Sequence, residues 1–111
     1  SAVSYYFGRT LHKDLDIPIG LISTSWVGTN IETWMSQSAT DHSATYSDLN
    51  KAWAPYIACW PTAPSFAHNA MIAPLWRYGI TGAIRYQGES NASRAYQYRD
   101  LMQTLITDWR N

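Results

Sequence analysis

Tyr86-Gln87-Gly88-Glu89-Ser90-Asn91 is the stretch on which the reading of this chain turns. Before it lies a short apolar run, residues 82–86, whose length and content predict a buried strand. After it comes a periodic stretch, residues 94–109, that predicts an amphipathic helix. Open α/β sheets place their binding sites where a strand ends and a helix begins. Gly88 is expected to let the backbone turn sharply there, and the helix start would offer unpaired N–H groups to an oxyanion. An amide, a carboxylate, a hydroxyl and a second amide within six residues make this a candidate site.

Working outward, residues 3–15 predict a helix with Val3, Tyr6, Phe7, Leu11 and Leu15 along one side, ended by Asp16 and Pro18. Residues 19–23 have the length and apolar content of a strand covered on both faces. A loop follows over 24–30, then a helical turn over 31–35. Residues 37–66 lack sustained periodicity, carry Pro55, Pro61 and Pro64, and read as a loop-rich insertion with one short helix near 47–53. A short helix or turn is expected over 71–76. In the last helix Tyr98, Leu101, Met102, Leu105, Ile106 and Trp109 follow one face, with Asp100, Gln103, Thr104 and Asp108 on the other. Helix–strand–loop–strand–helix is the order of an α/β layer, with a right-handed crossover between parallel strands. Two strands leave both sheet edges open, which favours self-association or contact with further parts of a domain.

Composition narrows the function classes. The 111 residues make one domain at most. Eight basic and eight acidic side chains cancel, so nothing draws the chain to nucleic acid or to an anionic membrane. No apolar run approaches the roughly 20 residues of a membrane span. Cys59 is the only cysteine, so no disulfide can form within the chain. The six Trp and eight Tyr suit sugar stacking, although most aromatics fill cores. No pair of histidines or carboxylates has metal-ligand spacing, and no metal or other cofactor is expected.

Three strings, Ile22-Ser23-Thr24-Ser25-Trp26-Val27-Gly28-Thr29 with its continuation to Trp34, His68-Asn69-Ala70-Met71 with its continuation to Leu75, and the block from Arg85 to Trp109, resemble the sialate O-acetylesterase and acetylxylan esterase group of the SGNH hydrolases. The opening residues 1–15 resemble the helix that precedes the first block. The resemblance implies a three-layer, flavodoxin-like fold of which residues 1–111 are part. It also implies serine-dependent removal of O-acetyl groups from sialic acid or a xylan-type sugar, so the partner would be an acetylated carbohydrate. It favours a secreted or periplasmic setting. The family's early Gly-Gln-Ser-Asn and late Asp-x-x-His blocks, which supply its nucleophile and base, do not occur here. The chain therefore reads as an internal portion of an esterase domain, unable to run the reaction alone. The alternative is a truncated, non-catalytic relative that binds glycans or assembles.

By the same resemblance, Gly28 would present its N–H to the reacting carbonyl, and Gln87 would donate a second hydrogen bond without charge. Val27 stands where the family has glycine. The other reading of Gly28 is a tight turn capped by Thr29 or Asn30. Gly88 and Glu89 complete the catalytic set, with Glu89 as acidic partner of a histidine; otherwise Glu89 is a solvated carboxylate favouring a helix start. Thr29, Ser90, Asn91 and His68 would line the sugar, although His68 equally suits a packing position. Ser90, Asn91 and Ser93 can each cap the last helix. Asn91-Ala92-Ser93 also fits the glycosylation pattern, which is a common one. Gly88-Glu89-Ser90-Asn91-Ala92 approaches a nucleophile elbow and lacks its final glycine. Arg85, in a strand expected to be buried, requires an anionic partner or an exit to solvent.

Overall fold

The computed structural model describes residues 1–41 and 63–111. The chain opens with α1, Ala2–Leu15, whose Ser1 side chain accepts a hydrogen bond from Ser4 N at 3.5 Å. It ends as expected at Asp16, which adopts the left-handed conformation (φ 52°) and returns its N–H to His12 O. A 3₁₀ turn, Ile31–Trp34, and a short helix α2, Gln37–Asp41, follow. A π-turn, His68–Ile72, runs into a 3₁₀ turn, Ala73–Leu75. A 3₁₀ turn, Glu89–Arg94, leads into α3, Ala95–Asp108. The short helix expected near 47–53 lies outside the described residues, as does most of the 37–66 insertion.

The expected α/β layer is corrected by the structure: no strand occurs among the described residues. Residues 19–23 and 82–86 carry no regular secondary structure and form no ladder. A parallel strand needs a hydrogen-bonded neighbour and cover on both faces. Here Leu21, Ile22 and Ile84 are each about half exposed, and a Cβ on Gly20 or Gly82 would meet nothing within 4 Å. One close contact remains. Gly8 is the only buried residue of α1, and a Cβ there would stand 2.9 Å from both methyl groups of Leu21. The lack of a side chain at Gly8 is what lets Leu21 lie against the helix.

The core lies elsewhere. Ile31, Trp34, Met35, Ala67, Ile72, Leu101 and Leu105 form one buried cluster, with Ala39, Met71, Tyr98, Met102 and Trp109 packed on its margin. α3 supplies Leu101 and Leu105 at helical spacing, as its periodicity predicts, while Ile106 is exposed. Asp108, expected on the solvent face, instead accepts from Ser36 N at 2.7 Å and from the Ser36 hydroxyl at 2.5 Å. Ser36 in turn accepts from Ala39 N at 3.1 Å, so Asp108 holds the residue that starts α2. Trp109 Nε1 donates to Trp34 O at 3.0 Å, closing α3 onto the same segment.

Candidate functional site

Residues 29–36 are buried without a break, and the site is assembled around them. Just before them Gly28 turns the chain at φ 71°, a conformation that favours glycine. Gly28 is exposed and Val27 is 88% exposed, so the tip of this turn faces solvent. Its base is tied down. The Thr29 hydroxyl donates to Trp26 O at 2.8 Å and accepts from Trp34 Nε1 at 3.0 Å. The Thr29 carbonyl accepts from Gln87 Nε2 at 2.9 Å, which brings the Gly28 turn and Gln87 together across 58 positions of sequence.

Gln87 is fully engaged. Its second amide hydrogen goes to Asn91 Oδ1 at 2.9 Å. Its oxygen accepts from Arg85 Nη2 at 3.1 Å and from the Tyr98 hydroxyl at 3.2 Å, which also reaches Gln87 O at 2.6 Å. Asn91 is only 1% exposed and does not cap the last helix as expected. The residue before α3 is Arg94, with no side-chain cap. Asn91 caps a different element: its Oδ1 accepts from Ile31 N at 2.9 Å, satisfying an orphan N–H at the start of the Ile31–Trp34 turn. Asn30, which precedes that turn, makes no side-chain cap of its own.

Two residues that sequence reasoning passes over complete the arrangement. Glu32 is 5% exposed and accepts from Asn91 Nδ2 at 3.1 Å and from Arg94 Nη1 at 2.7 Å. A carboxylate between Ile31 and Trp34, inside a turn expected to pack, is the available signal. Burial of such a charge is sustained only by pairing, and Arg94 provides it.

The remaining candidates are spread out. Glu89 is exposed, and its carboxylate accepts from Gly88 N at 3.1 Å. Ser90 is exposed, and neither described histidine bonds it: His12 Nδ1 lies 2.7 Å from Ile17 O, and His68 Nδ1 3.1 Å from Asn69 Oδ1. His68 is buried edge-on against Trp76, with ring centroids 5.3 Å apart. Gly88 precedes the Glu89–Arg94 turn with φ 160° and ψ −21°, and a Cβ there would meet only the Tyr98 side chain at 3.7 Å. The chain does turn at this point: Asn91 N donates to Gly88 O at 2.9 Å, which opens the Glu89–Arg94 turn. Arg85 finds no carboxylate among the described residues. It lies over the Trp109 ring at 5.8 Å, and burial lowers its guanidinium pKa below the ordinary arginine value, opposed by the neighbouring Tyr98. The Asn91-Ala92-Ser93 sequon is closed to glycosylation in this fold, because Asn91 Nδ2 is buried on Glu32.

An exposed glycine turn whose base is locked by a glutamine from a distant segment is an arrangement that can present a backbone N–H to a substrate. Comparison with known proteins gives it a family. The model for carbohydrate esterases of the sialic acid-specific acetylesterase type matches residues 2–111. The chain belongs to that family. It is 39% identical over 112 residues to the sialate O-acetylesterases of Pongo abelii and Homo sapiens, covering 99% of this chain and 21% of each relative. It is 35% identical over 135 residues to that of Mus musculus, covering 25% of the relative. This carbohydrate esterase chain thus spans about a fifth to a quarter of the length of the curated relatives it matches. No solved structure matches it.

Proposed function

We propose that this chain forms the oxyanion side of a carbohydrate O-acetylesterase site acting on O-acetylated sialic acid. The observation that carries the reading is the Gly28 turn: left-handed, exposed at its tip, and fixed at Thr29 by Gln87. Ester hydrolysis passes through a tetrahedral intermediate whose oxygen becomes negative, and fixed N–H donors stabilise that oxygen more than they stabilise the ester. Gly28 N–H is the donor at the exposed tip. The Gln87 amide reaches the same oxygen only by releasing Thr29 O or Asn91 Oδ1, since both its hydrogens are used. Glu89 lies exposed nearby in sequence and would serve a histidine from outside these residues. The choice of sialic acid follows the names of the relatives.

Hydrolysis also needs a nucleophile and a base, and the Gly-Gln-Ser-Asn and Asp-x-x-His blocks are absent from the 111 residues. The chain alone is expected to release no acetate. A non-catalytic, assembling role is the second reading, favoured by the exposed apolar side of α1, where Val3, Tyr6, Phe7 and Leu15 are uncovered.

Grafting residues 2–111 in place of the matching segment of the human sialate O-acetylesterase separates the two. The catalytic reading expects the graft to release acetate from O-acetylated sialic acid. A graft that folds, by circular dichroism and a cooperative melt, yet releases none, would leave the assembling role.

A further inference from the structure

Each amide in the Gln87–Asn91 pair has a nitrogen that only donates and an oxygen that only accepts, so its neighbours dictate which way it faces. Glu32 Oε2 can only accept, and it takes Asn91 Nδ2 at 3.1 Å. That leaves Asn91 Oδ1 facing Ile31 N and Gln87 Nε2, each at 2.9 Å. Gln87 is then turned with Nε2 toward Thr29 O and Oε1 toward Arg85 and Tyr98. The order of polarity therefore starts at a carboxylate and ends at the carbonyl that follows Gly28. The carboxylate itself is held by Arg94 on Oε1 at 2.7 Å.

We propose that Glu32 and Arg94, acting through Asn91, are positioning residues that set the direction of the Gln87 amide and hold the Gly28 turn in place. The catalytic consequence rests on the esterase reading above; the positioning itself does not. Neither Glu32 nor Asn91 is open to a sugar, being 5% and 1% exposed, so they act through Gln87 and the turn rather than by touching substrate. The clamp joins residues about 60 positions apart, and a buried network in which the Glu32 carboxylate and the Asn91 and Gln87 amides are all paired specifies one arrangement more strictly than apolar contact does.

A polarity swap tests this. Glu32→Gln leaves one oxygen for two donors, Asn91 Nδ2 and Arg94 Nη1, so one of them loses its bond to residue 32. Asn91→Asp sets a second carboxylate against Glu32. The double variant restores every bond: the introduced glutamine donates to the introduced carboxylate and still accepts from Arg94, while that carboxylate accepts from Ile31 N and Gln87. In the 111-residue chain, each single variant is expected to speed amide exchange at Ile31 by about tenfold or more, the penalty of a mispaired buried polar group, and the double to return to within about threefold of the parent. Parent-like exchange in both singles, or a double whose acceleration is the product of the singles, would overturn the clamp. If a single variant unfolds, the double decides: parent-like melting supports the clamp, and unfolding overturns it. In the human graft, each single should lower kcat about tenfold with KM unchanged, and the double should recover it, a split that general destabilisation does not give. An inactive parent graft would count against the esterase reading, while Ile31 exchange would still decide the clamp.

Discussion

Residues 29–36 and helix α1 are both rich in large apolar side chains, yet only the first is covered. Around 29–36, α3 supplies Leu101 and Leu105, Trp109 follows at its end, Ala67 joins the same cluster, and Asn91, Glu32, Asp108 and Thr33 satisfy the polar groups between them. Along α1, only Gly8 is buried, and Tyr5, Tyr6, Phe7 and Leu15 remain open. The difference lies in partners rather than in sequence quality. α1 is well formed, with its start and end capped, but local signals make a helix without giving it a surface to cover. Residues 29–36 hold only one 3₁₀ turn, Ile31–Trp34, and are fixed by long-range bonds, such as those spanning 34 and 75 positions.

The comparison can be broken most forcefully at Leu101, which is 0% exposed. Leu101→Ala should lower stability by about 2–5 kcal/mol, measured by urea denaturation, because it opens a cavity in the cluster that holds Ile31 and Met35. A loss of the size seen for an exposed leucine would mean that this cluster is not the core. Next in size is Asn91→Ala, which strands Ile31 N–H, one Gln87 hydrogen and one Glu32 oxygen. A loss of about 1–3 kcal/mol is expected, with α1 helicity unchanged by circular dichroism.

Arg85→Met should act in the opposite direction. Burial lowers the Arg85 pKa in the fold, so the folded state disfavours the charged form relative to the unfolded chain. That penalty is constant while pH stays below both values, and it fades only as pH rises through the folded value toward strong alkali. Replacement by methionine should therefore raise stability, by no more than about 1 kcal/mol once the lost bond to Gln87 Oε1 is set against it, and equally at pH 5 and pH 8. A benefit that changes across that window would implicate another titrating group.

The smallest effect belongs to α1. Gly8→Ala brings a Cβ to 2.9 Å from the Leu21 methyl groups, but Leu21 is half exposed and can swing away. The helix-forming advantage of alanine, about 1 kcal/mol, should prevail and raise the melting temperature slightly. A drop would show that the 19–23 segment is seated on α1 more firmly than its exposure suggests.

Much of this is legible in sequence. The ends of α1, the helical turn at 31, the turn before residue 76 and the Leu101–Leu105 stripe follow from periodicity and caps, which are local. The strands are not legible, because an apolar run of five residues looks the same whether or not a neighbour pairs with it. At the site, Gln87 and the Gly28 turn stand out in sequence and do meet. Glu32 and Arg94 do not stand out, and Asn91 reads as a cap on its own helix, because its partners sit near residue 31. Pairing between segments 60 positions apart leaves no periodic trace. Asp108 reads as a solvent-facing residue for the same reason.

The claim that a buried polar clamp joins Gln87 to the Gly28 turn is tested most directly by the side-chain amide of Gln87. Both Nε2 protons, one on Thr29 O and one on Asn91 Oδ1, should exchange with solvent at least about tenfold more slowly in nitrogen-edited NMR spectra than those of Gln103 on the exposed side of α3, as expected for bonded, desolvated donors. They should also show contacts to Thr29 and Asn91. Gln87 protons that exchange as fast as those of Gln103, without those contacts, would contradict the account.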